Sequence, residues 1–119
     1  MSFKYVLDSS AWYEYLDGSE KGTKIHSLID SGKTAIAILG VAELADKFER
    51  ENKAFDKILQ FIQSKAAILP VTLFVAQEAA KIKKKQRAFK SKFGLVDALH
   101  LATAKQHAAT FITVDNDFA

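Results

Sequence analysis

Four carboxylates in this chain of 119 residues are embedded in apolar sequence. Asp8 ends Tyr5-Val6-Leu7-Asp8, and Glu43 lies in Val41-Ala42-Glu43-Leu44-Ala45. Asp97 lies in Leu95-Val96-Asp97-Ala98-Leu99, and Asp115 closes Ile112-Thr113-Val114-Asp115. A carboxylate buried without a partner costs on the order of several kcal/mol. Four in such settings call for a fold that brings them to a shared partner, and a divalent cation is the natural one. The chain has no Cys, which leaves oxygen or imidazole donors and favours hard cations such as Mg2+ or Mn2+.

Apolar runs alternate with helical patterns along the chain. Strands are expected at 4–7, 34–38, 66–71 and 110–114. Helices are expected at 9–16, 20–31, 40–50, 54–64, from a Thr72 cap to about Arg87, and at 95–107. The strands are apolar without clean alternation, as when helices cover both faces of a sheet. Strand–helix alternation implies a parallel α/β sheet with right-handed crossovers, and in such sheets sites form beyond the carboxyl ends of the strands. Asp8 and Asp115 fall at that edge, Glu43 in the first turn of the helix after the second strand, and Asp97 in the first turn of its own helix. All four can meet at one end of one sheet. No linker, repeat or low-complexity segment interrupts the pattern, so one domain spanning 1–119 is expected.

Each acid also has an ordinary reading. Asp8 suits a helix N-cap, Asp97 a first-turn acid stabilised by the helix dipole, Glu43 a solvated face, and Asp115-Asn116-Asp117 a turn. The histidines His26, His100 and His107 show no paired metal-binding spacing. The aromatic cluster Trp12, Tyr13, Tyr15 reads first as core and second as an interface or stacking surface.

Charge is unevenly spread. Residues 81–92 hold seven of the 17 Lys and Arg and no acid: Lys81, Lys83, Lys84, Lys85, Arg87, Lys90 and Lys92. The rest of the chain has ten basic residues against 14 acids, a net of −4. A single basic run on an otherwise acidic body suits a polyanion partner; the plain alternative is a solvated helix face. No apolar run approaches the roughly 20 residues of a membrane span, and the start Met1-Ser2-Phe3-Lys4 opens almost directly into a strand without a secretory pattern. A cytoplasmic protein without a membrane partner is the expectation.

The motifs resemble those of PIN-domain nucleases, and most closely the small VapC-type toxins. Asp8-Ser9-Ser10 is similar to the family's opening Asp-[Ser/Thr], and Gly40-Val41-Ala42-Glu43-Leu44 to its helix-borne Glu. Gly94-Leu95-Val96-Asp97-Ala98-Leu99-His100-Leu101-Ala102-Thr103-Ala104 is similar to its third-acid motif. Thr113-Val114-Asp115-Asn116-Asp117-Phe118 is similar to the closing Thr-x-Asp-x-Asp-Phe. Members usually continue into a further short strand.

The resemblance implies a PIN-like three-layer α/β/α sandwich around a parallel sheet of four or five strands. It implies a Mg2+- or Mn2+-dependent endoribonuclease with Asp8, Glu43, Asp97 and Asp115 as catalytic metal ligands. Asp117 would be a further ligand or support, and Ser10 or Thr113 would support the shell. RNA is the implied substrate, with the basic run gripping its backbone. A homodimer held by a cognate antitoxin is the implied assembly. The alternative is a PIN-like RNA- or protein-binding module with little or no catalysis. A haloacid dehalogenase-type phosphatase would need an acid where Ser10 stands, and a receiver domain an Asp near Leu69-Pro70-Val71-Thr72.

Overall fold

The structure is a computed structural model that describes residues 2–115. Four strands, β1 (Tyr5–Leu7), β2 (Thr34–Ala37), β3 (Ala66–Leu69) and β4 (Thr110–Ile112), form one sheet in the order β3-β2-β1-β4. Every pairing is parallel, with Tyr5 opposite both Thr34 and Thr110, and Ala37 opposite Leu69. The carboxyl ends of all four strands therefore share one edge. Six helices connect them: α1 (Ser9–Asp17), α2 (Glu20–Asp30), α3 (Ile38–Arg50), α4 (Asp56–Lys65), α5 (Leu73–Arg87) and α6 (Leu95–Gln106). None of the described helices is long and apolar enough to cross a membrane.

Strands of three or four residues are too short to hold a sheet by their ladders alone, so both faces are clamped by apolar packing. Leu7, Ile36 and Ala66 face Trp12, Ile25, Ile29, Leu44 and Ile62 of α1–α4. On the other face, Val6, Ala35 and Leu69 pack with Ala104 of α6, and α5 and α6 share Val75, Ala79, Phe93, Ala98 and Ala102. All four residues of β2 are buried, which is why its sequence does not alternate. The α/β/α sandwich read from the sequence is the fold found. Connections from β1 and β2 run over one face and the connection from β3 to β4 over the other. That reversal at the β1–β4 pair is where α/β sheets place their sites.

The boundaries differ from expectation for local reasons. Strand β3 stops at Leu69 because Pro70 has no N–H for a ladder. Strand β4 stops at Ile112 because the next residues turn to side-chain partners: Thr113 to Asp8, and the Val114 N–H to the Ser10 hydroxyl at 3.3 Å. Helix α3 starts at Ile38, so Glu43 lies in its second turn, not the first. Thr72 does cap α5, accepting from the Val75 N–H at 3.2 Å. Trp12 is fully buried, with Tyr15 and Phe61 edge-on to it at 5.8 and 6.4 Å. Core packing is thus a role of all three clustered aromatics, Trp12 inside the cluster and Tyr13 and Tyr15 partly buried against it.

Helices α1 and α2 form a tight hairpin around Gly22. A Cβ there would sit 2.2 Å from the Glu14 carbonyl oxygen and 2.7 Å from the Tyr15 Cα. Both are backbone atoms that cannot swing aside. Gly22→Ala should therefore lose about 3 kcal/mol, the upper range for overpacking. Gly32→Ala meets nothing within 4 Å but keeps a φ of +74°, and should lose only about 1–2 kcal/mol. Urea melts of both variants test the difference; equal losses would refute the steric account.

Candidate active site

Asp8 is the innermost of the four carboxylates, 3% exposed directly beyond β1. Its burial is compensated by three donors. Oδ1 accepts from the Ser10 hydroxyl at 2.7 Å and from the Ala11 N–H at 3.0 Å, which caps α1. Oδ2 accepts from the Thr113 hydroxyl at 2.6 Å. Ser10 and Thr113 lie 3.2 Å apart, and the Asp115 N–H donates to the Thr113 hydroxyl oxygen at 3.0 Å. Hydrogen bonds to a carboxylate are stronger than neutral ones, so this cluster joins the start of α1 to the end of β4.

Glu43 is the outermost, its side chain 43% exposed. It accepts from the Ser9 hydroxyl at 3.1 Å and, being acceptor-only when ionised, from His100 Nε2–H at 2.7 Å. Partial burial pushes the Glu43 carboxyl up. The hydrogen bond from His100, its electrostatic pull and the Ser9 hydroxyl outweigh that and hold the group below its ordinary value. His100 itself is 2% exposed. Gly40 on α3 lies close by: a Cβ there would crowd the Ile36 side chain at 2.9 Å and only touch the His100 ring, at 3.5 Å. Asp97 stands one turn before His100 on α6, about 4.5 Å along the axis. Its carboxylate accepts from the Gly94 N–H at 2.9 Å, across the first turn.

A chain of contacts thus joins the four acids: Asp115 to Thr113, Thr113 to Asp8, Asp8 through its neighbour Ser9 to Glu43, and Glu43 through His100 to α6 and Asp97. They share one sheet edge, but hydroxyl, imidazole and backbone groups separate them. Among the described residues no three Asp, Glu or His side chains stand close enough to hold a metal ion. The donor set suits a hard cation by its chemistry; it is not gathered around one point. Asp117 lies outside the described residues. Of the other histidines, His26 pairs with Asp30 at 2.9 Å and His107 stacks edge-on against Phe3 at 5.2 Å, both remote from the acids. Ser9 and His100 are the positioning residues that sequence reading missed. Ser9 is indistinguishable from Ser10 in the sequence, and His100 is the donor that holds Glu43. Its place one turn after Asp97 was the available signal.

The basic run spans the end of α5 and the connection to α6, and the fold divides it. Lys81, Lys84 and Lys85 line a cavity of about 560 Å3 together with Lys105 of α6. Glu78, one turn upstream, pairs with Lys81 at 3.9 Å and with Lys105. Lys105 stands two turns beyond Asp97, about 12 Å along the axis, so this cavity is displaced from the acids. Lys90, with Gln86 and Phe93, instead lines a cavity of about 360 Å3 whose wall includes Thr113. Arg87 donates from Nε to the Phe93 carbonyl and so braces the connection. A third cleft, beside Ser9 and Glu43, carries Lys47 and Arg50 against Glu14 and Asp46. There Lys47 lies 4.1 Å over the Tyr13 ring, which on its other contacts packs half-buried against the core and Phe48.

The family profile of the PIN domain matches residues 5–119. The chain belongs to the PIN domain family. No curated protein sequence is a significant match to this PIN domain. Solved structures share its fold at low identity. A toxin–antitoxin complex from Klebsiella pneumoniae aligns with a TM-score of 0.78 at 19% identity, over 98% of this chain and 91% of that one. FitAcB from Neisseria gonorrhoeae aligns at 0.69 and 25% identity, over 95% and 88%. The sarcin-ricin loop cleaving toxin VapC20 of Mycobacterium tuberculosis aligns at 0.72 and 13% identity, over 97% and 92%.

The lowered pKa of Glu43 has a stability consequence in this PIN domain. A carboxyl whose folded pKa lies below its unfolded value contributes stability above the unfolded value, and that contribution fades as pH falls through the folded one. In chelator, Glu43→Gln should remove part of the stability loss of the native protein below about pH 4.5 and leave the curve's shape near pH 7 unchanged. Urea melts across that range measure it; superimposable acid limbs would contradict the shift.

Proposed function

We propose that this protein is a divalent-metal-dependent endoribonuclease that acts as the toxin of a type II toxin–antitoxin pair. The observation that carries the proposal is the placing of Asp8, Glu43, Asp97 and Asp115 at the carboxyl edge of a PIN sheet, with Thr113 holding Asp8 and His100, one turn after Asp97, holding Glu43. Structures with this fold include a toxin–antitoxin complex and a toxin described as cleaving the sarcin-ricin loop. By that analogy the substrate is RNA, and a cognate antitoxin and a second copy of the chain are the partners.

Asp8, Glu43, Asp97 and Asp115, with Asp117 as a further donor, would hold Mg2+ or Mn2+. When bound, such an ion lowers the pKa of a bound water and neutralises charge on the scissile phosphate. The chain's own groups prepare the setting. Ser10 and Thr113 fix the Asp8 carboxylate, and their hydroxyls are engaged as donors, as is that of Ser9. None of the three is left as an obvious nucleophile, so water is the simpler attacking group. Glu43, kept ionised by His100 and half exposed, either ligates the metal or orients that water. The basic run, Lys81 to Lys92, contacts the RNA backbone without reading sequence, with Lys90 nearest the acids.

One observation favours a second reading. The acids are not gathered into a metal cage among the described residues, as expected of a PIN-like RNA- or protein-binding module with little catalysis. Activity separates the two. Purified protein should cut RNA with Mg2+ or Mn2+ and stop when chelator is added. Cleavage that persists in excess chelator would sink the metal-dependent proposal, and RNA binding with no cleavage under any metal would select the second reading.

Asp97→Asn should abolish cleavage without unfolding the domain. Asn keeps an oxygen to accept from the Gly94 N–H, but it removes a charge partner for the cation. Mg2+ binds the folded state and raises its stability by mass action, so the melting shift produced by Mg2+ should shrink in the variant. A variant as active as the parent would remove Asp97 from the site.

A further inference from the structure

Thr113 is the common wall of two cavities. One is the cavity of Gln86, Lys90 and Phe93 on the α5–α6 side. The other, about 430 Å3, opens on the α2 side. They lie on opposite faces of the sheet, because Phe111 packs with the α6 cluster while Ile112 and Val114 pack with α1–α4. The α2-side cavity has Lys21 and Lys24 at its rim and Ile25, Leu28, Ile112 and Val114 as walls. The two lysines are three residues apart on one helix and therefore on the same side. Both are exposed, and among the described residues neither forms an ion pair.

Charge distinguishes this cavity from its rivals. The cleft beside Glu43 holds three acids against Lys47 and Arg50, which disfavours a polyanion before any cation binds. The four-lysine cavity around Glu78 does not include any of the four candidate acids or their hydroxyl partners. Among the described residues the α2-side cavity has two cations and no acid, and it is lined by the threonine that holds Asp8. A cationic rim over apolar walls suits a single nucleic-acid strand, with phosphates on the lysines and sugar or base faces on the aliphatic surface.

The geometry points to a substrate path that crosses Thr113, with Lys21 and Lys24 binding strand phosphates on the α2 side and Lys90 binding them on the α5–α6 side. This rests on the ribonuclease reading, because it places the scissile phosphate between the two cavities, beside Asp8. The α2 lysines are thus a substrate subsite separate from the basic run. An acidic peptide is the other polyanion that such a rim suits. The strand is preferred because a second cationic cavity lies on the other side of Thr113, and a strand cut at that edge must extend both ways.

The test measures binding of a labelled single-stranded oligoribonucleotide by anisotropy in chelator, where no cleavage occurs on this reading, across a salt series. Neutralising one phosphate of a single strand contributes about 0.7 to the slope of log K against log salt. Lys21→Gln with Lys24→Gln should flatten the slope by about 1.4 and weaken binding roughly tenfold or more at low salt. Lys90→Gln should flatten it by about 0.7. Lys33→Gln with Lys57→Gln, which removes two exposed charges lining neither cavity, should leave it unchanged. Lys21→Arg with Lys24→Arg should retain the parent slope. In Mg2+, the double glutamine variant should raise KM and keep kcat within twofold.

A parent-like slope in the double glutamine variant overturns the path while leaving cleavage by the parent, and hence the nuclease reading, intact. The same unchanged slope with lost binding of a poly-glutamate peptide would give the cavity to an acidic protein segment. Binding that depends on Lys21 and Lys24 without any Mg2+-dependent cleavage would keep the two lysines as an RNA-binding site and overturn both the nuclease reading and the placing of a scissile phosphate beside Asp8. No RNA binding by the parent, with or without Mg2+, discards both.

Discussion

The buried carboxylate of Asp8 is the interaction on which the site depends. At 3% exposure it is nearly dry, and a bare charge there would be intolerable. Its oxygens instead receive two hydroxyls and a backbone N–H. Those donors come from α1, which the carboxylate itself caps, and from Thr113, more than a hundred residues later. The same contact starts a helix, ends a strand and fixes β4 beside β1. Because Thr113 is spent on Asp8, β4 does not extend beyond Ile112, and the chain is directed so that Asp115 arrives at the same edge.

A second node reproduces this logic between α3 and α6. His100 is buried, yet its Nε2–H reaches a half-exposed Glu43. The bond joins two helices far apart in the sequence, α3 and α6. Asp8 is held by hydroxyls from inside, whereas Glu43 is held by an imidazole from below and faces outward. The acids are therefore unequal: one fixed and dry, one polarised and reachable. Asp97 is satisfied within its own helix turn by the Gly94 N–H, so Asp8, Glu43 and Asp97 each have their own internal compensation.

That inequality marks the limit of what the sequence revealed. The apolar settings of the four acids, the strand–helix alternation and the closing Thr113-Val114-Asp115 were legible because burial and hydrogen-bonding chemistry leave local traces. The sheet edge followed from topology rules. The partners did not follow. Ser9 and Ser10 are adjacent and chemically alike, and only the helix geometry sends one to Glu43 and the other to Asp8. The basic run read as one surface because sequence has no faces. Folded on the last turns of α5 and the connection after it, it divides between a cavity around Glu78 and one beside Thr113. Lys21 and Lys24 left no trace at all, since two lysines in a polar helix are unremarkable until β4 is placed next to them. The ordinary readings of Asp8 as a cap and Asp97 as a first-turn acid are also correct as geometry. A helix cap and a functional carboxylate are compatible uses of one group.

The electrostatics give the arrangement a direction. Without a cation, the edge presents four carboxylates, and the cleft beside Glu43 adds Glu14 and Asp46. Phosphate is repelled from the place where it would have to react. Lysines at the flanks would attract a strand without discharging those acids, because Lys90, Lys21 and Lys24 line neighbouring cavities instead of pairing with Asp8 or Glu43. A divalent ion at the acids would reverse the sign at the centre, so cation and strand would each favour the other's binding. Linkage requires the two effects to be equal in size.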